Sequence, residues 1–322
     1  MTKNLDLYDH KILNELDKDS RKSASEIAKK VRLSKVSVNQ RINKLQKKGI
    51  IKTFMVQVDY RKLGYNICHI FYKLQNISSE NEELFYSFLS KHNLIGYVAR
   101  IDGNFDTYLV LVYQNNEQLD GILAEINSKF GQFIKEKNIL PVVHVQYFGR
   151  RYLIKEKEEQ IIGLVIRGKP KGIIELDETD HKILQTLSQD ARLTIINLAE
   201  KLNITKDIAH YRIRKLIKEG ILQKFTINLD HKKFGNSFFK ILVELNYNTN
   251  GKEFLSHISI YKNLIRTIRL LGQWDIELDF EVENNLEMRK ILKEIKEKLG
   301  KYIKTIDSLF VYQIDKLNYY PF

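Results

Sequence analysis

The sequence predicts an α+β protein made of two tandem units, each a winged helix-turn-helix followed by a ferredoxin-like βαββαβ sandwich module. Three observations lead there: an ungapped internal repeat, a set of short capped helices opening each copy, and an alternation of apolar strands and helices following each. Residues 33–51, LSKVSVNQRINKLQKKGII, and 204–222, ITKDIAHYRIRKLIKEGIL, place apolar and basic positions alike, 171 residues apart. Aligning 5–64 with 176–235 needs no gap and leaves 24 of 60 positions identical, among them Asp9/Asp180, Ile12/Ile183, Leu13/Leu184, Arg41/Arg212, Leu45/Leu216 and Gly49/Gly220. Self-similarity of that length marks duplicated structural units.

The elements follow in order. LDLYDHKILNEL has apolar residues at 5, 12, 13 and 16, a helical spacing, with Asp6 placed to cap its start. SASEIAKKV opens with Ser23 and has Glu26 three residues on, a capping-box pattern. A turn through Arg32 and Leu33 leads to Ser34, the expected N-cap of a third helix that stops at Gly49. IIKTFMVQVD then alternates and reads as a two-stranded wing. The second copy repeats the plan, with Thr205 as cap and Gly220 as stop. NICHIFYKL, a helix from about 80 to 91, GYVARI, FDTYLVLVY, a helix over EQLDGILAEINSKF and ILPVVHVQYF complete the first sandwich. SFFKILVEL, a helix near 252–261, LIRTIRLL, WDIELDFEV, a helix across 285–299 and IDSLFVYQI complete the second. The expected domains are therefore 1–60, 61–150, a linker at 151–175, 176–235 and 236–322.

Composition limits the function classes. A chain of 322 residues with 43% hydrophobic and 29% charged residues has the make-up of a soluble globular protein with real cores. Its longest aliphatic run, IIGLVI at 161–166, is too short to cross a bilayer, and the charged N-terminus lacks a signal-peptide core. A cytoplasmic location without membrane contact is the expectation. The single cysteine, Cys68, allows no internal disulfide and no cysteine-rich metal site. Of the net charge of +13, ten units fall in 1–60 and 176–235, which contain the two quoted helices. Positive charge gathered there points to a polyanionic partner.

At about 100° per residue, Val38, Ile42 and Leu45 form one stripe of the third helix and must face its core. Val36, Gln40, Asn43 and Lys47 point away, flanked by Ser37, Asn39 and Lys44, with Ser34 and Lys35 at the helix start. In the second copy Ala209, Ile213 and Leu216 face inward. Asp207, Tyr211, Arg214 and Lys218 face outward beside His210 and Lys215, with Thr205 and Lys206 at the start. Amides and guanidinium groups make bidentate contacts to base edges, and lysines neutralise phosphates. These residues are the candidate DNA-binding set for double-stranded DNA. The alternative is a solvated helix face, and the preceding turn, the following wing and local charge argue against it.

A winged helix-turn-helix opening LDLYDHKIL or LDETDHKIL, ending KLQKKGII or KLIKEGIL and leading into a βαββαβ module resembles the Lrp/AsnC family of feast/famine transcription regulators. GNFD at 103–106 and GQWD at 272–275 resemble the turn between the second and third strands of that family's effector module. The resemblance covers nearly the whole chain. It implies a small-molecule effector such as an amino acid, for which Gly103, Asp106, Gly272 and Asp275 are the candidates, and association through the sandwich modules. A tight turn and a carboxylate satisfying backbone amides account for the same residues without a ligand. Members typically carry one unit and dimerise; the second unit here supplies that partner in cis, so one chain is expected to act as a pseudo-dimer reading two unlike half-sites.

Other readings stay open. Sirohaem decarboxylases resemble this family, and such an enzyme would need histidines and arginines around a porphyrin-sized pocket, for which His144, His69 and Arg100 are the conceivable contributors. The lower charge of 176–235 leaves room for a regulator in which only the first unit binds DNA. No catalytic motif, cofactor or metal site is legible. Cys68 and His69 read as a core thiol beside an imidazole in a strand, and His10 and His181 as polar-face residues of the first helices. Arg41 and Arg212 suit a scaffold ion pair as well as a phosphate contact. RGKPKG at 167–172 reads as a linker turn more readily than as a minor-groove hook.

Overall fold

The computed structural model describes residues 5–154, 165–166 and 172–322, so the aliphatic run at 161–166 and the RGKPKG stretch lie almost wholly outside the described residues. In the first unit α1 (Leu7–Lys18), α2 (Ala24–Val31) and α3 (Lys35–Lys47) lead into β1 (Ile51–Val58). The sandwich follows as β2 (Asn66–Leu74), α4 (Ser79–Lys91), β3 (Ile95–Asp102), β4 (Thr107–Tyr113), α5 (Asn116–Phe130) and β5 (Ile134–Tyr147), and a short β6 (Val165–Ile166) pairs with β5. The second unit repeats this as α6 (Glu178–Gln189), α7 (Ile195–Leu202), α8 (Lys206–Lys218), β7 (Leu222–Leu229) and a single turn α9 (His231–Phe234). Its sandwich is β8 (Ser237–Leu245), α10 (Gly251–Ile258), β9 (Leu264–Leu270), β10 (Ile276–Val282), α11 (Asn285–Leu299) and β11 (Ile303–Leu317).

The helix starts are set by the predicted side chains. Asp9 N–H donates to Asp6 Oδ1 at 2.9 Å, and Ser23 and Glu26 exchange both bonds of a capping box. Ser37 N–H donates to Ser34 Oγ at 3.1 Å and Ile208 N–H to Thr205 Oγ1 at 3.2 Å, so α3 and α8 begin at equivalent caps. Both helices stop where Gly49 and Gly220 turn left-handed, at φ of 68° and 67°.

The wing differs from expectation. It is not a hairpin within each copy: β1 and β7 contribute one strand each and pair antiparallel, Phe54 with Ile227 and Val56 with Phe225. The physical reason is local, since residues 51–58 contain no glycine, proline or asparagine with which to fold back. An unpaired strand there leaves a row of open N–H and C=O groups, and the other copy's strand closes it. Reciprocal arginines fasten the same joint. Arg21 donates to the Ala191 and Leu193 carbonyls at 3.0 and 3.1 Å, while Arg192, its repeat counterpart, donates to the Ser20 and Lys22 carbonyls at 2.8 and 3.3 Å. One continuous core runs through both helical domains, with Ile12, Leu16, Val38 and Leu45 on one side and Ile183, Leu187, Ala209 and Leu216 on the other.

The sandwich modules join in a similar way. Within each, the last strand pairs with the first, as β5 with β2 and β11 with β8, giving the ferredoxin-like order. Each last strand then runs on into the other unit: β5 pairs with β9 from Val142 to Tyr147, and β11 with β3 from Phe310 to Leu317. The result is a closed eight-stranded ring, β2-β4-β3-β11-β8-β10-β9-β5, without a free edge. Helices α4 and α5 cover one outer face around Phe85, Leu89 and Ile126, and α10 and α11 the other around Phe254, Met288 and Ile295. Cys68 is fully buried, and burial pushes its thiol up to about 12.

Candidate nucleic-acid interface

Capping and core packing decide which face α3 and α8 turn outward. Val38, Ile42 and Leu45, and Ala209, Ile213 and Leu216, are buried as their spacing predicts. Ser34, Lys35, Val36, Asn39, Gln40, Asn43, Lys44 and Lys47 are exposed and Ser37 half-buried. In the second copy Thr205, Lys206, Asp207, His210, Tyr211, Arg214 and Lys218 are exposed, and Lys215 is half-buried, 3.9 Å from the Asp180 carboxylate. Val36 and Tyr211 are each 64% exposed.

The structure settles the arginines between the faces. Arg41 lies 2.8 Å from Asp6 and 2.7 Å from Asp9, and Arg212 bonds Asp177 and, at 3.2 Å, Asp180. Both are scaffold pairs tying the third helix to the cap of the first. His181 accepts or donates at 2.6 Å to the Tyr320 hydroxyl, and His10 packs edge-on against Phe234, so both belong to the packing of the first helices. Lys62, unremarked in the sequence, donates to the Glu219 carbonyl at the C-terminus of the other copy's α8, where a cation is favoured.

The G-x-x-D turns lie where the units cross. Leu74 N–H donates to Asp106 Oδ2 at 2.7 Å and Lys73 pairs with Oδ1 at 2.8 Å. Leu245 N–H donates to Asp275 Oδ2 at 2.8 Å, with Arg269 3.5 Å from Oδ1. Gly103 (φ 141°) and Gly272 (φ 124°) each face the other unit's last strand. A Cβ on Gly103 would stand 2.8 Å from Leu309 Cδ2 and 3.1 Å from the Ser308 carbonyl. Gly103→Ala is therefore expected to cost about 1–3 kcal/mol in urea unfolding with or without any ligand.

The three residues considered for a porphyrin site are not brought together. His69 and His144 line a cavity of about 230 Å³ between the ribbon and the barrel mouth. Arg100 lies on the helix-covered face, bound to Glu83 at 2.5 Å and Asp315 at 3.1 Å and stacked 4.0 Å over the Tyr86 ring. Inside the barrel His69 Nδ1 is 2.7 Å from Glu277, and Lys240 is 2.6 Å from Glu277 and 2.9 Å from Asp279. Among the described residues no group of three or more His, Cys, Asp or Glu side chains is placed to hold a metal, and no helix is long and apolar enough to cross a membrane.

Comparison with known proteins agrees with this architecture. A family profile described as winged helix-turn-helix DNA-binding matches residues 5–52 and 176–223. An HTH-type transcriptional regulator of Pyrococcus furiosus is 35% identical over 128 residues, 38% of this chain and 85% of that protein. The HTH-type transcriptional regulator LrpC of Bacillus subtilis is 34% identical over 145 residues, 45% of this chain and 98% of LrpC, so one whole relative corresponds to one unit here. Among solved structures, the siroheme decarboxylase NirDL superposes with a TM-score of 0.65 over 98% of this chain and 96% of its own; at 14% identity that likeness is one of fold. Matched in both copies by a helix-turn-helix profile and over nearly the full length of LrpC, the chain belongs to the Lrp/AsnC family of transcription regulators, in a tandem-duplicated form.

Proposed function

We propose that the chain is a sequence-specific DNA-binding transcription regulator in which one chain does the work of a dimer, α3 and α8 reading two different half-sites. The observation that carries it is the shared ribbon. Pairing of β1 with β7, with the reciprocal Arg21 and Arg192 bonds, holds two helices of like scaffold and unlike outward face in one unit. The α3 face offers Asn39, Gln40 and Asn43, and the α8 face Asp207, His210, Tyr211 and Arg214. Two identical helices favour a palindrome, and two unlike ones favour an asymmetric operator. An effector such as an amino acid belongs to the same reading, at the groove beside Asp106 lined by Asn76, Glu82 and Tyr312.

An enzyme acting on a tetrapyrrole is the poorer reading. The cavity at the barrel mouth, about 230 Å³, is below the roughly 300–1,000 Å³ of sites for drug-sized ligands. Arg100, His69 and Lys240 are committed to carboxylates of the chain itself.

Selection from random duplex DNA with the full chain, at two salt concentrations, tests the proposal. The expected product is an asymmetric site whose log affinity falls with log salt at about 0.9 per phosphate neutralised. Enrichment of palindromes alone would overturn the two-half-site reading, and no enrichment at either salt would overturn DNA recognition by the chain.

A further inference from the structure

The cavity between ribbon and barrel is lined by equivalent positions of both units, such as Tyr97 and Arg266, yet the paired residues differ in chemistry. Strand register relates Tyr97 and Val110 of the first unit to Arg266 and Asp279 of the second, since Tyr97 pairs with Val110 and Arg266 with Asp279. By the same register Val112 corresponds to Glu281, the repeat relates Asp17 to Ser188, and Lys224 corresponds to Thr53. One side of the cavity is therefore ionic, with Asp17, Arg150, Lys224, Arg266 and Glu281. The other, built from β4, β3 and the end of β11, is apolar and aromatic, with Tyr97, Val110, Val112, Leu317 and Tyr319.

Most of the charge on the ionic side is spoken for. Arg150 lies 2.7 Å from Asp17 and 3.0 Å from Glu281, and Arg266 is bound to Asp279. Lys224 has no ion-pair partner of its own among the described residues; Asp17, the leading acidic influence on it, is held through both oxygens by Arg150. Three further polar atoms of the lining lack hydrogen-bond partners: Gln57 Oε1, Tyr97 Oη and His231 Nε2, on residues 7%, 9% and 8% exposed. Buried polar atoms in native proteins are usually satisfied, and several orphans around one cavity mark a place for a bound species.

We propose that this cavity is a one-per-chain binding site for a small monocarboxylate with an apolar or aromatic body, its carboxylate on Lys224 and its body against Tyr97, Val110 and Val112. The size fits: with about 30 Å³ for each water in the liquid, the 230 Å³ cavity holds on the order of seven waters, or an organic acid of about ten non-hydrogen atoms. Lys224 makes no ion pair within 4 Å among the described residues, which leaves its ammonium group open to one charge-assisted contact. Identical subunits would present both sides alike across their axis, and the divergence of the two copies is what makes an oriented ligand possible. One wall is the ribbon that carries the reading helices and the other is the barrel, so an occupant touches both layers.

The site stands apart from the DNA-binding reading, and ligand-observed fluorine NMR of the full chain with 4-fluorophenylacetate tests it, with 4-fluorophenylacetamide as neutral control. The expected result is one saturable site per chain, weakened about tenfold or more by Lys224→Met and by Val110→Phe, with the amide weaker by a similar factor, as loss of one charge-assisted contact predicts. Lys224→Met removes a half-buried charge that makes no ion pair within 4 Å and leaves Arg150 on Asp17, so its fold is expected to survive; far-UV circular dichroism of both variants checks this. Absence of saturable binding, equal affinity for acid and amide, or indifference to both substitutions would overturn the proposal. Binding to the selected operator in the same samples separates the two readings: operator binding without the site removes this inference alone, and the site without operator binding removes the regulator reading alone.

Discussion

Arg150→Ala is expected to lower stability by about 3–5 kcal/mol, because it leaves two buried carboxylates without their cation. Arg150 lies between β5 and the linker and joins Asp17 of α1 to Glu281 of β10, the helical layer to the barrel. Its main-chain N–H also donates to Asp17 at 3.1 Å, and Tyr152 donates to Glu281. Burial by itself would push Asp17 up, but Arg150 and Lys224 hold it below the usual carboxylate value. A lowered folded-state pKa means stability that is present above the unfolded value near 4 and lost as pH falls through the folded one. In the variant, burial acts on Asp17 without the Arg150 cation and pushes its carboxyl up instead. The gap in stability between wild type and Arg150→Ala is therefore expected to be widest near neutrality and to shrink towards pH 4. Urea unfolding at pH 7.5 and pH 4.5 checks this, and a pH-independent gap would show that Arg150 acts through packing alone.

A change of operator symmetry is expected when α8 is given four outward residues of α3. The substitutions are Asp207→Val, His210→Asn, Tyr211→Gln and Arg214→Asn, each taking the residue 171 positions earlier. Because Ala209, Ile213 and Leu216 stay in place, the helix keeps its seat. Each base contact exchanged is worth about 1–3 kcal/mol, so several together amount to a shift of about a hundredfold or more in half-site preference. Selection with the variant is expected to return a palindrome of the α3 half-site in place of the asymmetric site proposed for the native chain. An unchanged site would mean that α8 does not read bases and that the second copy serves the scaffold.

The parts of this protein legible in its sequence are those governed by short-range rules. Capping residues and glycines are read by the backbone groups next to them, which is why Asp6, Ser23, Ser34, Thr205, Gly49 and Gly220 stand where expected. The inward and outward faces of α3 and α8 follow from helical period, so the exposed candidates could be chosen without coordinates. The repeat itself disclosed the two units. Arg41 and Arg212 were ambiguous for a physical reason: they sit at the margin of the stripe, and only their distance to Asp6, Asp9, Asp177 and Asp180 decides between scaffold and phosphate.

Chain order and helical period thus determined the duplicated winged-helix and βαββαβ plan, the capped helices and the unlike outward faces of α3 and α8. Tertiary structure alone decided how the copies meet. The wing became a ribbon between copies because a strand without a turn must find its partner elsewhere, and the best complement is the other copy's equivalent strand. The two sandwiches became one closed barrel because the long last strands outrun their own sheets and satisfy the other unit's edge. The Arg150 tie and the two-sided cavity followed from that closure. The Arg150 tie joins residues 131–133 positions apart through space, and pairing at such separations leaves no local pattern along the chain.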